Sequence, residues 1–209
     1  AITSGAFVPA SVVVGPEGRI YIVGVLSSST VANKTGGASS TCYLIELVVA
    51  TNAAACLDTA NSPRVQGSEA AIQFDSSGRV IYLANDGSLK RYGTGSVATL
   101  TNSDINVTDF AVLPNDSIAI SGETRATGTR WIRILKSSGS LQPAAGTWSN
   151  GLLDVFPDGN LYMGLWDVDF GIKRYITSTE SVDPEFWVDM SNTHLGSSIC
   201  GGTLPAGFS

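Results

Sequence analysis

Charge is scarce in this chain. Only 14% of the 209 residues are Asp, Glu, Lys or Arg, well under the usual quarter. What charge there is leans acidic, with 12 basic against 18 acidic side chains and a net charge of −6. Binding to nucleic acid or to an anionic membrane needs a basic footprint, which argues against both partners. Histidine is nearly absent: His194 is the single one. Any Ser-His-Asp or Cys-His site would have to use it, yet it lies beside Asn192 and Thr193, outside the patterned part of the chain. One histidine also argues against a transition-metal centre. No CxxC pair occurs among the three cysteines, which excludes a zinc ribbon or a thioredoxin-type motif. No run of 18 apolar residues is present, so no membrane-spanning helix is expected. No basic stretch followed by an apolar core opens the chain, so no signal peptide is read there. Ala1-Ile2-Thr3-Ser4 fits either a mature end left by cleavage or an arbitrary boundary. No glycine-rich loop follows a strand and opens a helix, and nucleotide binding has no support.

Short strands and turns fill the sequence instead. The clearest stretch is Leu152 to Tyr175. Leu153, Val155, Leu161 and Met163 alternate with other residues on either side of Pro157-Asp158-Gly159, which predicts two strands joined by a tight reversal. Gly171 opens a third strand, and Phe186 to Met190 is a fourth, flanked by the turn pair Asp183-Pro184. Three looser copies precede it. In the first, Ser11 to Val14 and Arg19 to Leu26 flank Gly15-Pro16-Glu17-Gly18. A polar excursion then covers 27–41, Cys42 to Val49 is a third strand, and Asn52 to Leu57 reads as a short helical turn. The second copy turns at Asp75-Ser76-Ser77-Gly78 and again at Asn85-Asp86-Gly87, where Asp-Gly suits a type I′ hairpin. The third runs from Thr108 to a weak strand near Leu141.

The copies align residue by residue. Gly18, Gly78, Asp116 and Gly159 share one turn position, and Pro16, Pro114 and Pro157 precede it by two. Tyr21, Tyr82 and Tyr162 follow it, with a slip of one residue at Tyr82. Lys90-Arg91-Tyr92 and Lys173-Arg174-Tyr175 occupy the same third strand and are read as fold residues. A spacing near 40 residues with four strands per unit is the signature of a propeller blade. In this pattern the chain resembles the β-propeller repeat proteins, in the generic style of NHL-like, YVTN-like and tachylectin-like blades. The resemblance covers roughly residues 8 to 190 and does not single out one of these families. It implies an all-β, propeller-like array of four four-stranded antiparallel blades, at about 8–66, 70–100, 108–144 and 150–190, followed by a Gly-rich tail at 191–209. The array is either a closed four-bladed ring or half of a larger one.

Candidate functional residues are few. Cys42 and Cys56 flank a strand and its return, so a disulfide is expected there, with two separate buried thiols as the other reading. Cys200 is left over in the tail, as an intermolecular link or a free thiol. Calcium needs only oxygen ligands, and Asp104, Asn106 and Asp109 have an alternating spacing, as do Asp167 and Asp169. Turn residues bonding nearby backbone would look the same. Among the tryptophans, Trp131, Trp148 and above all Trp166 could stack on a sugar or peptide, or could fill the space between sheets. Of three N-x-S/T sequons, Asn33 is the best placed for glycosylation.

Fold and function are separate questions. The first functional reading is a non-enzymatic secreted or cell-surface module, which binds a protein or glycan through loops at one end of the propeller. The second is a structural subunit of an extracellular assembly, a homo-oligomer included, joined through its tail and edge strands. The third is a carboxylate- or calcium-dependent enzyme. No cofactor other than calcium is implied.

Overall fold

The computed structural model describes residues 7–26, 31–32, 38–39, 41–66, 69–93, 95–143, 151–165 and 171–189. Strands β1 (Phe7–Val14) and β2 (Arg19–Leu26) open the first blade. A small hairpin of β3 (Val31–Ala32) and β4 (Ala38–Ser39) falls in the polar excursion, and β5 (Leu44–Val48) and β6 (Ala53–Asp58) complete the blade. A second small hairpin, β7 (Val65–Gln66) and β8 (Glu69–Ala70), leads to blade 2. That blade comprises β9 (Ile72–Phe74), β10 (Val80–Leu83), β11 (Leu89–Gly93) and β12 (Ser96–Thr99). Blade 3 is β13 (Ile105–Val112), β14 (Ile118–Thr124), β15 (Thr129–Leu135) and β16 (Leu141–Pro143). Blade 4 is β17 (Gly151–Val155), β18 (Leu161–Leu165), β19 (Gly171–Ile176) and β20 (Ser181–Asp189). Each blade is a four-stranded antiparallel meander with its strands in chain order across the sheet. The protein is a propeller-like array of four such sheets.

Two local expectations are corrected. Asn52 to Leu57 is not a helical turn. A single 3-10 turn at Val49–Thr51 ends at Asn52 in the left-handed region, and the chain returns as β6, the fourth strand of blade 1. Alanine-rich Ala53–Ala55 has helical propensity, but pairing with β5 overrides it. Nor is Asn85-Asp86-Gly87 a type I′ hairpin, because only Gly87 has positive φ. Gly87 N–H donates to Ala84 O, and Ala84 N–H to Ser88 O. This is the longer hairpin loop, a β-turn followed by one left-handed residue.

The same loop joins the first two strands of blades 2, 3 and 4, with the i→i+3 bonds Gly78 to Asp75, Asp116 to Leu113 and Gly159 to Phe156. The turn residue is left-handed in all four blades, with φ 68° at Gly18, 70° at Gly78, 61° at Asp116 and 76° at Gly159. Glycine takes this conformation without strain. Asp116 replaces it where a side chain is useful: its carboxylate accepts the Ser76 N–H (2.8 Å) and hydroxyl from the corresponding turn of blade 2.

Counting from that turn residue fixes the two faces of every blade. The residues six and four before it, and two and four after it, face the preceding sheet. These are Ile72, Phe74, Val80 and Tyr82 in blade 2; Phe110, Val112, Ile118 and Ile120 in blade 3; and Leu153, Val155, Leu161 and Met163 in blade 4. The residues between them face the following sheet. Consequently each main apolar cluster spans one joint. Tyr21, Val23 and Leu44 meet Ile72, Val80 and Tyr82 between blades 1 and 2. Ile81 and Leu83 meet Phe110, Ile118 and Ile120 between blades 2 and 3. Ala119, Ile132 and Ile134 meet Leu153, Leu161 and Met163 between blades 3 and 4. Full burial of each such aliphatic side chain contributes roughly 1.5–3 kcal/mol. The one-residue slip at Tyr82 turns it to the face opposite that of Tyr21 and Tyr162, as a period of two requires.

Polar groups cross each joint as well. Ser11 Oγ accepts the Ala70 N–H at 3.0 Å. Gln73 accepts from Val112 N–H at 2.7 Å and donates to Phe110 O at 3.1 Å. Asp109 Oδ2 accepts the Leu153 N–H at 2.7 Å. Between blades 1 and 2, buried Asp58 takes Ala60 and Asn61 N–H groups on one oxygen and the Tyr82 hydroxyl on the other.

Tyr82→Phe removes the hydroxyl that donates to buried Asp58 and should cost about 1–3 kcal/mol in urea unfolding at neutral pH. Burial raises the Tyr82 pKa, and burial with the Glu46 charge pushes Tyr21 up to about 12. In the unfolded chain both ionise near pH 10. Their contribution is therefore complete below that pH and is lost as pH rises through the folded values. A denaturation series from pH 8 upward should show this loss, shallower in Tyr82→Phe.

The expected disulfide is present, with Cys42 and Cys56 bonded at a Cα separation of 5.9 Å. Both are buried with Ile45 on the face of blade 1 that points away from blade 2. It closes a loop of 14 residues across β5 and β6, so the Cys42→Ser, Cys56→Ser variant should lose roughly 3 kcal/mol of stability. Thermal melts with and without reductant check this, since reductant should leave the variant unmoved.

Candidate binding site

The described tryptophans divide sharply. Trp131 on β15 is buried. Its indole N–H donates to Thr124 Oγ1 at 3.2 Å, and the Arg133 guanidinium lies 4.5 Å from its ring centroid. It fills the joint between blades 2 and 3. Trp187 on β20 is 39% exposed. Trp148 and Trp166 lie outside the described residues, as do Asp167, Asp169, Asn33, His194 and Cys200.

Trp187 lies in a cleft of about 330 Å³ lined by Lys173, Val182, Asp183, Pro184 and Phe186. Its indole is seated by an absence: a side chain at Gly171 would come within 2.6 Å of the ring and 2.3 Å of Val188 O. Lys173 Nζ lies 5.0 Å from the indole centroid. A register shift in β20 between the partners of Lys173 and Tyr175 inserts the Asp183-Pro184 corner. Asp183 is locked there, accepting from Arg174 Nε at 3.0 Å and from Glu185 N–H at 3.0 Å. The Arg174 hydrogen bond is the main reason its carboxyl sits below the ordinary 3.8. Arg174 also stacks 4.8 Å from Phe186, and Phe186 meets Tyr162 edge-on at 5.4 Å. The cleft thus offers one exposed apolar plane beside a cation, on a frame that the Arg174–Asp183 pair fixes. Its signal in the sequence was a tryptophan on an outer strand beside a turn pair.

A second cleft of about 410 Å³ lies at the rim between blades 1 and 2, lined by Asp58, Thr59, Asn61, Lys90, Tyr92, Val97 and Thr99 among others. Asp58 is committed to the joint, and Lys90 Nζ donates to Thr99 Oγ1 at 3.3 Å.

Asp104, Asn106 and Asp109 are each engaged separately. Asp104 is exposed, and its carbonyl accepts the Arg125 N–H at 2.8 Å. The Asn106 amide donates to Glu123 at 2.9 Å. Asp109 takes Leu153 N–H on one oxygen and Phe110 N–H, at 2.9 Å, on the other. Burial is the largest influence on Asp109 and raises its pKa, against the lowering effect of these two N–H groups. Among the described residues no three His, Cys, Asp or Glu side chains come together as a metal site. No helix among them is long and apolar enough to cross a membrane, which says nothing of a β-barrel.

No protein-family model matches the chain, and no curated protein matches it. Among solved structures, the chain is similar to an X-ray structure of a candidate gluconolactonase, at 15% identity and a TM-score of 0.48. The match covers 90% of this chain and 66% of that one. It is also similar to a structural-genomics protein of unknown function from Bacteroides thetaiotaomicron, at 11% identity and a TM-score of 0.40, covering 79% of this chain and 44% of that one. The chain therefore spans less than two thirds of either length. Likeness this low bears on no activity, and the propeller-like assignment rests on the four sheets themselves.

Asp109→Ala leaves the Leu153 N–H unpaired in a joint, and chemical denaturation should show a loss of about 1–3 kcal/mol. Because the folded pKa of Asp109 is raised above 3.8, the native state takes up its proton before the unfolded chain does. This group therefore adds stability as pH falls through its folded pKa, and the gain levels off below the unfolded value. Asp109→Asn should remove that increment from a stability–pH curve, and an unchanged curve would contradict the assignment.

Proposed function

We propose that this protein is a non-enzymatic secreted or cell-surface binding module, and that the Trp187 cleft of blade 4 takes a glycan. The observation that carries the reading is the exposed indole of Trp187, set between Lys173 and the Asp183-Pro184 corner. A sugar ring has an apolar C–H face and a polar rim. The indole plane complements the first, and the Lys173 ammonium complements the second. Arg174, Phe186 and Tyr162 hold the frame in advance, so little ordering opposes binding. The Cys42–Cys56 disulfide supports an oxidising compartment, where such bonds persist. The site lies on outer strands of one blade, in contrast to the end loops expected for such a module.

Tryptophan fluorescence and calorimetry against a panel of soluble oligosaccharides test this. Trp187→Ala should abolish binding of any responding sugar, while thermal stability falls little because the ring is partly exposed. Undiminished binding by Trp187→Ala would overturn the site, and no response to any glycan would overturn the ligand class.

A further inference from the structure

The third strand of blades 2, 3 and 4 carries a cation at one shared place. It is the residue paired with the fourth position after the turn residue: Lys90 against Tyr82, Arg133 against Ile120 and Lys173 against Met163. Paired residues share a face, so each of the three cations faces the preceding sheet. In blades 3 and 4 the cation lies over an indole, Arg133 at 4.5 Å from the Trp131 centroid and Lys173 at 5.0 Å from that of Trp187. In blade 2 the place that Trp187 takes opposite Lys173 is held by Thr99. Lys90 therefore has a hydroxyl where Lys173 has a ring, and its Nζ donates to Thr99 Oγ1 at 3.3 Å.

Lys90 is nonetheless the deepest of the three. It is 7% exposed, while Arg133 and Lys173 are half-buried. A lysine this deep is rare without a partner anion. Its ammonium has three donors, and one neutral hydroxyl at this distance occupies a single one of them. Among the described residues it forms no ion pair. The neighbouring carboxylates are committed elsewhere. Asp58 already takes two backbone N–H groups and the Tyr82 hydroxyl. Asp86 accepts the N–H and hydroxyl of Ser88.

Lys90 lines the cleft of about 410 Å³ between the outer strands of blades 1 and 2, and every residue of its lining is described. That volume falls within the range of small-molecule sites, about 300–1,000 Å³. Tyr92 and Val97 give the cleft an apolar wall. Thr59 and Asn61 add a hydroxyl and a side-chain amide that no hydrogen bond engages among the described residues.

We propose that this cleft is a second binding site, which takes a small organic carboxylate with Lys90 as its counter-ion. A carboxylate oxygen on Nζ supplies the charged partner that burial demands, and Thr99 keeps its own hydrogen bond. Charge selects the class. One ammonium matches one negative charge. A phosphate or sulfate dianion would meet Asp58 and a chain of net charge −6, with no arginine in the lining to fork around it. A neutral molecule would leave the ammonium as poorly paired as before. The site is separate from the Trp187 cleft, and neither reading rests on the other.

Titrations with lactate and benzoate, each beside its neutral amide and followed by backbone amide NMR shifts, test this. Both acids should give saturable shifts at residues 57–61 and 95–99, and lactamide and benzamide should not. Lys90→Met keeps the apolar stem and removes the charge, so acid binding should weaken roughly tenfold or more. The preference of the parent protein for acid over amide decides the matter by itself if that variant does not fold. Acids and amides binding alike would overturn the proposal, as would shifts centred on Trp187 or no saturable shift at all. Undiminished acid binding by Lys90→Met would assign Lys90 to the fold alone and overturn it equally.

Discussion

A four-stranded sheet that is apolar on both faces must be covered on both, and this constraint organises the whole molecule. Charged residues are too few to coat two faces of four sheets, so each blade is stable only against a neighbour. Blades 2 and 3 have neighbours on both sides. Blade 1 uses its disulfide, with Ile45, to fill part of its outer face, and blade 4 covers Tyr162 with Phe156 and Phe186. What those devices leave uncovered is the row of β1 valines and Leu152.

Apolar burial supplies most of the joint energy but little direction, and the polar crossings supply the register. Ser11 and Asp109 stand at corresponding bulges in β1 and β13, where the pairing shifts and one residue is left over. A bulge re-aims its side chain: Ser11 reaches the Ala70 N–H in the hairpin that leads to blade 2, and Asp109 the Leu153 N–H of blade 4. Asp109 had looked from its spacing like a calcium ligand. The two N–H groups it accepts give that acidic residue a role in assembly of the sheets.

The Trp187 cleft follows from the same architecture. Residues on inner strands are pressed between sheets, and an aromatic there becomes core, as Trp131 has. On an outer strand the sheets no longer cover every side chain, and the Asp183-Pro184 corner opens the edge further. An exposed indole at that place is available to a ligand, and Gly171, Arg174 and Phe186 fix its surroundings.

Much of the fold was legible in the sequence because hydrophobic alternation and turn chemistry are local. The four hairpins, the shared turn position with Asp116 in place of glycine, and the pairing of Cys42 with Cys56 can all be read within spans of a few residues. Two local readings failed where long-range pairing won: Ala53–Asp58 became a strand because β5 offered it a ladder, and the Asp86-Gly87 loop took the shape its strands required. The site was less legible. Trp131 and Trp187 both sit in strand-like runs, and the Asp183-Pro184 pair beside Trp187 marks a turn without telling which indole is exposed. Their burial depends on how far each strand lies from the inner edge of its blade. The sequence by itself determined the repeating strand–turn units and their register, because these rest on contacts between near neighbours. The tertiary structure alone decided which faces are covered, which indole is exposed and which carboxylate bridges two sheets. Those depend on residues about 40 positions apart, brought together only when the sheets stack.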